Sequence, residues 1–362
     1  MSYIVLAINP GSTSTKISVY KDSEEVFTKT LRHTSEELAP YKGVIDQLAF
    51  RKDTIMKALA ENNVELASID ICVGRGGVIR PIPSGVYGVN DAMIEDIRTV
   101  KYGEHASNLG GVLALEISKE VEAVRCGSKV PAVIADPVVV DELDEVARLS
   151  GHPLFPHYSI FHALNQKAIA KRYAKEQGKK YEDISVLVAH LGGGVSVGVH
   201  KGGRVIDVND ALNGDGPFSP ERSGSLPATL LINACFSGKY TKEEMKKFVN
   251  GKGGVVSYMN TNSMLELEHM VEAGDAKAKL VSDAFVYQLA KEIGAMSTVL
   301  CGKVDAILVT GGIAYSKSLM AQLKERVSYL APVVVYPGED EMGTLAANGL
   351  AVLNGEEAIK EY

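Results

Sequence analysis

The sequence predicts an α/β protein made of two copies of one fold, and three features carry that prediction. The first is the opening stretch, where two β-like runs, Tyr3–Ile8 and Lys16–Tyr20, flank the loop Asn9-Pro10-Gly11-Ser12-Thr13-Ser14-Thr15. The second is a later repeat of the same grammar: Ile184–Leu191, the loop Gly192-Gly193-Gly194, a strand from Val195, a turn at Lys201-Gly202-Gly203 and a last strand to Val208. The first copy turns at Lys21-Asp22-Ser23-Glu24 in the corresponding place. The third is the alternation of short apolar runs, Ile69–Val73, Val130–Ala135, Val304–Thr310 and, as the last strand, Val333–Tyr336, with helical patterns.

Length and composition set bounds. At 362 residues the chain fits two domains with sizeable cores. The repeat places them at residues 1–155 and 156–342, with a C-terminal helix in residues 343–362 packing back on the first. A content of 46% hydrophobic and 23% charged residues is that of a globular protein, and a net charge of −7 without a Lys/Arg run argues against a nucleic-acid partner. Apolar runs fall short of the ~18 residues that span a membrane, and Met-Ser runs directly into a strand, so the expectation is a cytoplasmic protein. The four cysteines, Cys72, Cys126, Cys235 and Cys301, form no Cys-x-x-Cys pair and read as reduced, mostly buried thiols.

The loop Asn9–Thr15 with Lys16 offers backbone N–H groups, hydroxyls and one cation, with Gly11 permitting close approach, and these groups suit phosphate oxygens. An ordinary Asx or Ser/Thr turn fits the loop alone as well. The second copy, with His190 before Gly192, Gly193 and Gly194, favours the phosphate reading. A helical pattern follows over Gly43–Asn63. The strand Ile69–Val73 gives way to a Gly/Pro loop with Arg75 and Arg80, the place where open α/β sheets bind ligands, though a solvated arginine would look the same. Ala106–Ala123 reads as a helix. The strand ending in Asp136-Pro137 suits a hydrated Mg²⁺, or simply a turn.

His152, His157 and His162 lack the spacing of a zinc site. In the helix of residues 163–177, Lys167, Lys171, Arg172 and Lys175 read as a solvated face. Gly194-x-Ser196-x-Gly198 matches a hydrolase motif, but that motif needs a strand-to-helix turn and Ser196 lies in an alternating β run. A long Gly/Pro/Asn loop, Asn209–Gly224, contains Arg222. Helices are expected at Ala228–Phe236, Lys242–Phe248 and, almost unbroken, Ser263–Leu300. Gly311-Gly312 follows a strand. Asp340 and Glu341 open the final helix, where the helix dipole favours carboxylates whatever their role.

Asn9–Lys16 together with His190–Gly194 resembles the paired phosphate motifs of the acetate and butyrate kinases, relatives of actin, heat-shock chaperones and sugar kinases. The surroundings of Arg75, Ala189-His190 and Pro217–Gly224 resemble the butyrate and branched-chain branch. The resemblance implies a duplicated actin-like, ribonuclease H-like fold with a nucleotide cleft between two domains, ATP/ADP and Mg²⁺ as cofactors, and a short-chain carboxylate substrate. It implies Asn9, Gly11, Ser12, Thr13, Ser14, Lys16, His190, Gly192, Gly193, Gly194, Gly311, Gly312 and Ile313 as nucleotide-binding residues. Arg75, Asp136, His162 and Arg222 carry over as catalytic, Asp136 with Asp340 or Glu341 as metal-associated, and Val78 and Phe161 as acyl-pocket walls. The position aligned with the family's first arginine is Cys72, so Arg75 and Arg80 both stand as candidates. Sugar phosphorylation and a chaperone or filament role are the rival readings; the long helices suggest a homodimer or larger homo-oligomer.

A carboxylate titrates near ~4–5, so at neutral pH it is already a nucleophile and needs no general base. Such a kinase needs cations around the transferred group instead.

Overall fold

A computed structural model describes residues 2–362. The chain forms two compact units, one of residues up to Val140 together with Asp340–Tyr362, the other Asp141–Glu339.

In the first unit β1 (Ile4–Pro10), β2 (Ser14–Lys21) and β3 (Glu24–Arg32) form an antiparallel meander. Next, β4 (Ile71–Arg75) lies parallel to β1, β5 (Val86–Gly88) pairs antiparallel with β6 (Ala132–Ala135), and β6 lies parallel to β4. A two-residue strand, Ile359–Lys360, adds to the β5 edge. This corrects the expectation that Val333–Tyr336 is the last strand; two residues in a charged tail carry no readable alternation. Alternate residues of β1 serve opposite faces. Leu6 and Ile8 pack with Ile55, Leu59, Leu113 and Ile117 of helices Leu48–Glu61 and Leu109–Val124. On the other face a Cβ at Gly349, in helix Glu341–Leu353, would press on Val5, Ile71 and Val73, so glycine sets how closely that helix approaches.

The second unit repeats the plan. β7 (Ser185–Leu191), β8 (Val195–Lys201) and β9 (Arg204–Val208) form the meander, and β10 (Ala306–Gly311) and β11 (Val333–Pro337) extend it in parallel, in the order β11-β10-β7-β8-β9. The likeness reaches the bulges: Val26 is skipped between β2 and β3, and Ile206 between β8 and β9. Helix Ala163–Glu176 covers one face, and Ala276–Val299 and Lys317–Val327 cover the other. The expected Ser263–Leu300 helix divides at Ala273–Asp275, where Gly274 takes φ +86° and Asp275 caps the second part through its side chain. None of the described helices is long and apolar enough to cross a membrane.

Two expectations fail here. Only Cys72 is buried; Cys126 and Cys301 stand just past helix ends with φ of 55° and 52°, a left-handed position exposed by its geometry, and Cys235 is exposed as well. Lys167 is not on a solvated face. It is 1% exposed, on the stripe Ala163, Lys167, Ala170 and Ala174, and its ammonium meets Glu142 Oε2 at 2.7 Å. Removing one member of such a pair leaves the other buried and uncompensated. We expect Lys167→Met to cost about 3–5 kcal/mol in denaturant unfolding and Lys167→Met/Glu142→Leu far less; equal losses would show that the pair contributes only as packing.

Candidate active site

The candidate residues of the first unit gather at the carboxyl ends of its parallel strands, as sequence reading expects of α/β sheets. Asn9 closes β1, Arg75 ends β4, and Asp136 follows β6. Arg75 Nη1 lies 3.0 Å from Glu341 Oε1 and donates to Asn9 Oδ1 at 3.3 Å, while Asn9 Nδ2 donates to Glu341 Oε2 at 2.5 Å. Asp340 is engaged otherwise, its Oδ1 capping the last helix by accepting from Gly343 N–H at 2.9 Å. Arg80 turns away as well, its guanidinium 4.1 Å from the Tyr362 ring centre. Asp136 is 4% exposed with φ +37°, and its Oδ1 accepts from Ser84 Oγ at 2.6 Å and Gly85 N–H at 2.9 Å. Val78 packs with Ile79, Ile82 and Met93.

The loop between β1 and β2 is held from beneath by Arg51, which the sequence analysis missed. Its guanidinium is fully buried and donates to the carbonyls of Gly11, Ser12 and Ser14, to Thr15 Oγ1 and to Gln47 Oε1. The His33 amide takes the Thr13 carbonyl. In a trans peptide C=O and N–H point opposite ways, so drawing these carbonyls inward turns the amides of Ser12, Thr13 and Ser14 outward. Exposed Ser12 and Thr13 add hydroxyls at the tip, and Lys16 stands exposed on β2 opposite Asn9. The result is a loop tip with outward backbone donors, a group of the kind that suits anions.

The second unit brings its own candidates together at the ends of β7 and β10, where His190 pairs across the sheet with Thr310. Gly311 has φ +94°, and a Cβ there would strike the Leu191 backbone, so only glycine lets the two loops meet. Gly312–Tyr315 is a 3₁₀ turn with Ile313 buried. Gly192 and Gly194 bond to each other, and Ser219 Oγ donates to the Gly193 carbonyl at 2.6 Å. The Arg222 guanidinium occupies the room a Gly194 side chain would need. Its Nη1 donates to the Ala211 carbonyl at 3.0 Å, while buried Nε has no partner. Desolvation lowers the affinity of Arg222 for its proton, and the nearby Glu221 and Asp210 oppose that effect.

His162 sits at the cap of helix Ala163–Glu176, directly after buried Phe161, with its ring stacked on His190 at 3.8 Å between centroids. His190 lies between Asn165 Oδ1, 3.0 Å from Nδ1, and Glu339 Oε1, 3.1 Å from Nε2. Ser196 stands within β8, not at a strand-to-helix turn, which removes the hydrolase reading. A hollow of about 640 Å³ lined by Phe218, Leu226, Phe248, Tyr258 and Leu280 contains none of the candidate residues. Asn165 and Glu339, like Arg51, were given no site role from sequence. Among the described residues no three His, Cys, Asp or Glu converge as a ready-made metal site. The donors present, single carboxylates and an amide, suit Mg²⁺, which retains waters and needs few protein oxygens.

A twice-repeated meander with a small-residue loop at each tip defines the actin-like fold. The fold is that of an acetate kinase from Porphyromonas gingivalis, at TM-score 0.77 and 17% identity over 97% of this chain and 100% of that one. A propionate kinase from Francisella tularensis matches at TM-score 0.71, 17% identity, 96% and 98% coverage. The chain belongs to the acetokinase family, whose pattern matches residues 157–330. It is 57% identical to Butyrate kinase 1 of Clostridium acetobutylicum over 99% of both chains, and 52% identical to Butyrate kinase 2 of that organism over 100% of both.

Burial of His200 gives a pH test of this region. Desolvation, with a smaller push from Lys167, takes its ring from 6.5 to about 3, so the native protein keeps it neutral where an unfolded chain would protonate it. The unfolded state therefore binds the extra proton between those values. Stability from this group is complete above about pH 6.5 and falls as pH drops toward 3, by up to about 1.4 kcal/mol per unit. His200→Gln should flatten the unfolding free energy across that window in urea titrations; an unchanged slope would mean that His200 titrates normally.

Proposed function

We propose that this chain is a butyrate kinase, transferring the γ-phosphoryl group of ATP to butanoate to give butanoyl phosphate and ADP, reversibly. The observation that carries the reading is the full-length match, at 57% identity, to Butyrate kinase 1. In this reading the outward amides of Ser12 and Thr13 and the Gly192–Gly194 loop hold phosphate oxygens, and Gly311–Ile313 accommodates the nucleoside. Arg222 brings a partnerless buried N–H to the phosphoryl group as charge moves onto it. Arg75 positions anions beside Asn9, and His162 donates to the transferred group. Glu341 and Asp136 would hold Mg²⁺ through oxygen, and the ion when bound neutralises phosphate charge. Val78 and Phe161 are assigned to the acyl pocket.

A sugar kinase would need a base for a hydroxyl. The carboxylate of Asp136 is fixed by Ser84 and Gly85, which suits a held acceptor. Acetate, propionate or branched acids remain the rival substrates. The reading includes a cytoplasmic setting and a homo-oligomer. For the latter the exposed apolar side chains of helix Ala228–Cys235, Leu230 at 66% and Ile232 at 56%, and of helix Ala276–Val299, Leu280 at 69% and Tyr287 at 51%, offer surfaces.

Trapping acyl phosphate with hydroxylamine across acetate, propionate, butyrate, isobutyrate and glucose tests the assignment. Each methylene in an apolar pocket contributes about 1 kcal/mol, so butyrate should exceed acetate by roughly one to two orders of magnitude in kcat/KM. Acetate as best substrate, or phosphorylation of glucose alone, would reject it. Arg222→Lys should lose roughly 2–4 kcal/mol of transition-state stabilisation, close to Arg222→Ala, because an ammonium cannot replace a planar fork; near-wild-type kinetics in the lysine variant would remove Arg222 from the mechanism.

A further inference from the structure

The geometry points to a hydrogen-bond relay, Tyr181–His200–Gln166–Ser196–His162, that fixes which nitrogen of His162 carries the proton and so aims an Nε2–H donor. The inference rests on the reading that His162 contacts the transferred phosphoryl group, and it assigns Gln166, Ser196, His200 and Tyr181 as positioning residues.

The direction of the relay follows from one backbone carbonyl. Gln166 is wholly buried, with Nε2 3.1 Å from the Ser196 carbonyl and 2.8 Å from Ser196 Oγ. Flipping the amide would set two oxygens against each other at that carbonyl, so the NH₂ end must face Ser196. Its Oε1 then faces His200 Nε2 at 3.0 Å and requires N–H there. His200, buried and neutral, has one proton to place, so Nδ1 is bare and accepts from the Tyr181 hydroxyl at 2.8 Å. At the other end Ser196 Oγ accepts from Gln166 and, being fully buried, must place its own proton on a protein acceptor; among the described residues the one group offered is His162 Nδ1 at 2.8 Å, so the hydroxyl donates there. With Nδ1 an acceptor, the proton of His162 resides on Nε2.

The strand motif that resembled a hydrolase acquires a reason. Ser196, Gly198 and His200 share one face of β8, and a Cβ on Gly198 would collide with Gln166 Oε1. The Gly-x-Ser-x-Gly spacing leaves a slot for the glutamine between the two residues it joins.

The test is ¹⁵N NMR of imidazole-labelled protein near neutral pH. The chain has eight histidines, and the His162 signals are those lost in His162→Gln. In the wild type we expect an imine-type Nδ1 and a protonated Nε2. Gln166→Glu, which as a carboxylate accepts from Ser196, should reverse the tautomer and lower kcat on the order of 10²-fold, with KM for acid and ATP nearly unchanged. A wild-type His162 protonated on Nδ1 overturns the relay, and so does a Gln166→Glu enzyme with lowered kcat but an unchanged tautomer. A reversed tautomer with intact kcat sustains the relay and removes His162 from the chemistry instead. Should Gln166→Glu not fold, the wild-type spectrum alone still decides the tautomer.

Discussion

The constraint on which the first half of this protein depends is the burial of the Arg51 guanidinium beneath a loop. Removing a cation from water is costly, and among the described residues no carboxylate pairs with this one. What offsets that cost is a set of donations to loop carbonyls, and those donations impose a shape. A loop of small residues has little apolar surface with which to fix itself, so its conformation is set by the donor below it. Its outward amides follow from peptide geometry, and Thr15 and Gln47 hold the guanidinium from the sides. An outward row of amide donors is thus produced by a cation lying beneath the loop.

The second unit meets the same demand by another route. Its loop is one residue shorter between paired positions, since Pro10 pairs with Thr15 but Leu191 with Val195. Three glycines replace the hydroxyl residues, and among the described residues no fully buried arginine takes the part of Arg51 there. Control comes from the side: Ser219 holds the Gly193 carbonyl, and Arg222 fills the space above Gly194. The duplicated backbone, down to its bulges, is conserved between the halves more closely than the chemistry that stabilises each tip. Topology is fixed by strand pairing and apolar alternation, which tolerate many side chains, whereas a loop conformation is fixed by a handful of polar contacts.

That difference decides what could be read from sequence. The two meanders and most of the helices were legible because period-two and period-3.6 patterns repeat over many residues. The loops were legible as glycine- and hydroxyl-rich. Lys167 was misjudged because charge was taken as a sign of solvent, and Arg51 was passed over, yet each falls on an apolar stripe: Arg51 with Ile55, Ala58 and Leu59, Lys167 with Ala163, Ala170 and Ala174. Stripe position was the better signal. Gln166 and His200 gave no such warning. A polar residue in a helix and another in a strand become partners only through tertiary packing, and nothing in either neighbourhood names the other. Glu339 and Glu341 illustrate the same limit from the other side. An acidic run announced a helix start, but which carboxylate caps, which meets Arg75 and which meets His190 is settled by where the chain turns.

The two arginines assigned to the reaction stand in opposite electrostatic situations, and this ranks them. Arg75 is matched by Glu341 at 3.0 Å and shares Asn9 with it, so the triad presents little net charge to an arriving anion. Its value lies in position and in holding Glu341 oriented. Arg222 has no such carboxylate in contact; Glu221 and Asp210 act on it only through their charge, and one of its N–H groups is buried without an acceptor. An unsatisfied buried donor on a cation is costly in the resting protein, by about 1–3 kcal/mol or more. That cost disappears when an anionic oxygen reaches it, so the resting strain becomes differential binding of whatever carries most negative charge at that point. For a phosphoryl group passing between ADP and a carboxylate, the charge on its peripheral oxygens is the feature common to both directions of transfer. In the proposed reaction a cation held in this condition would therefore serve the forward and reverse directions alike, without any proton having to move.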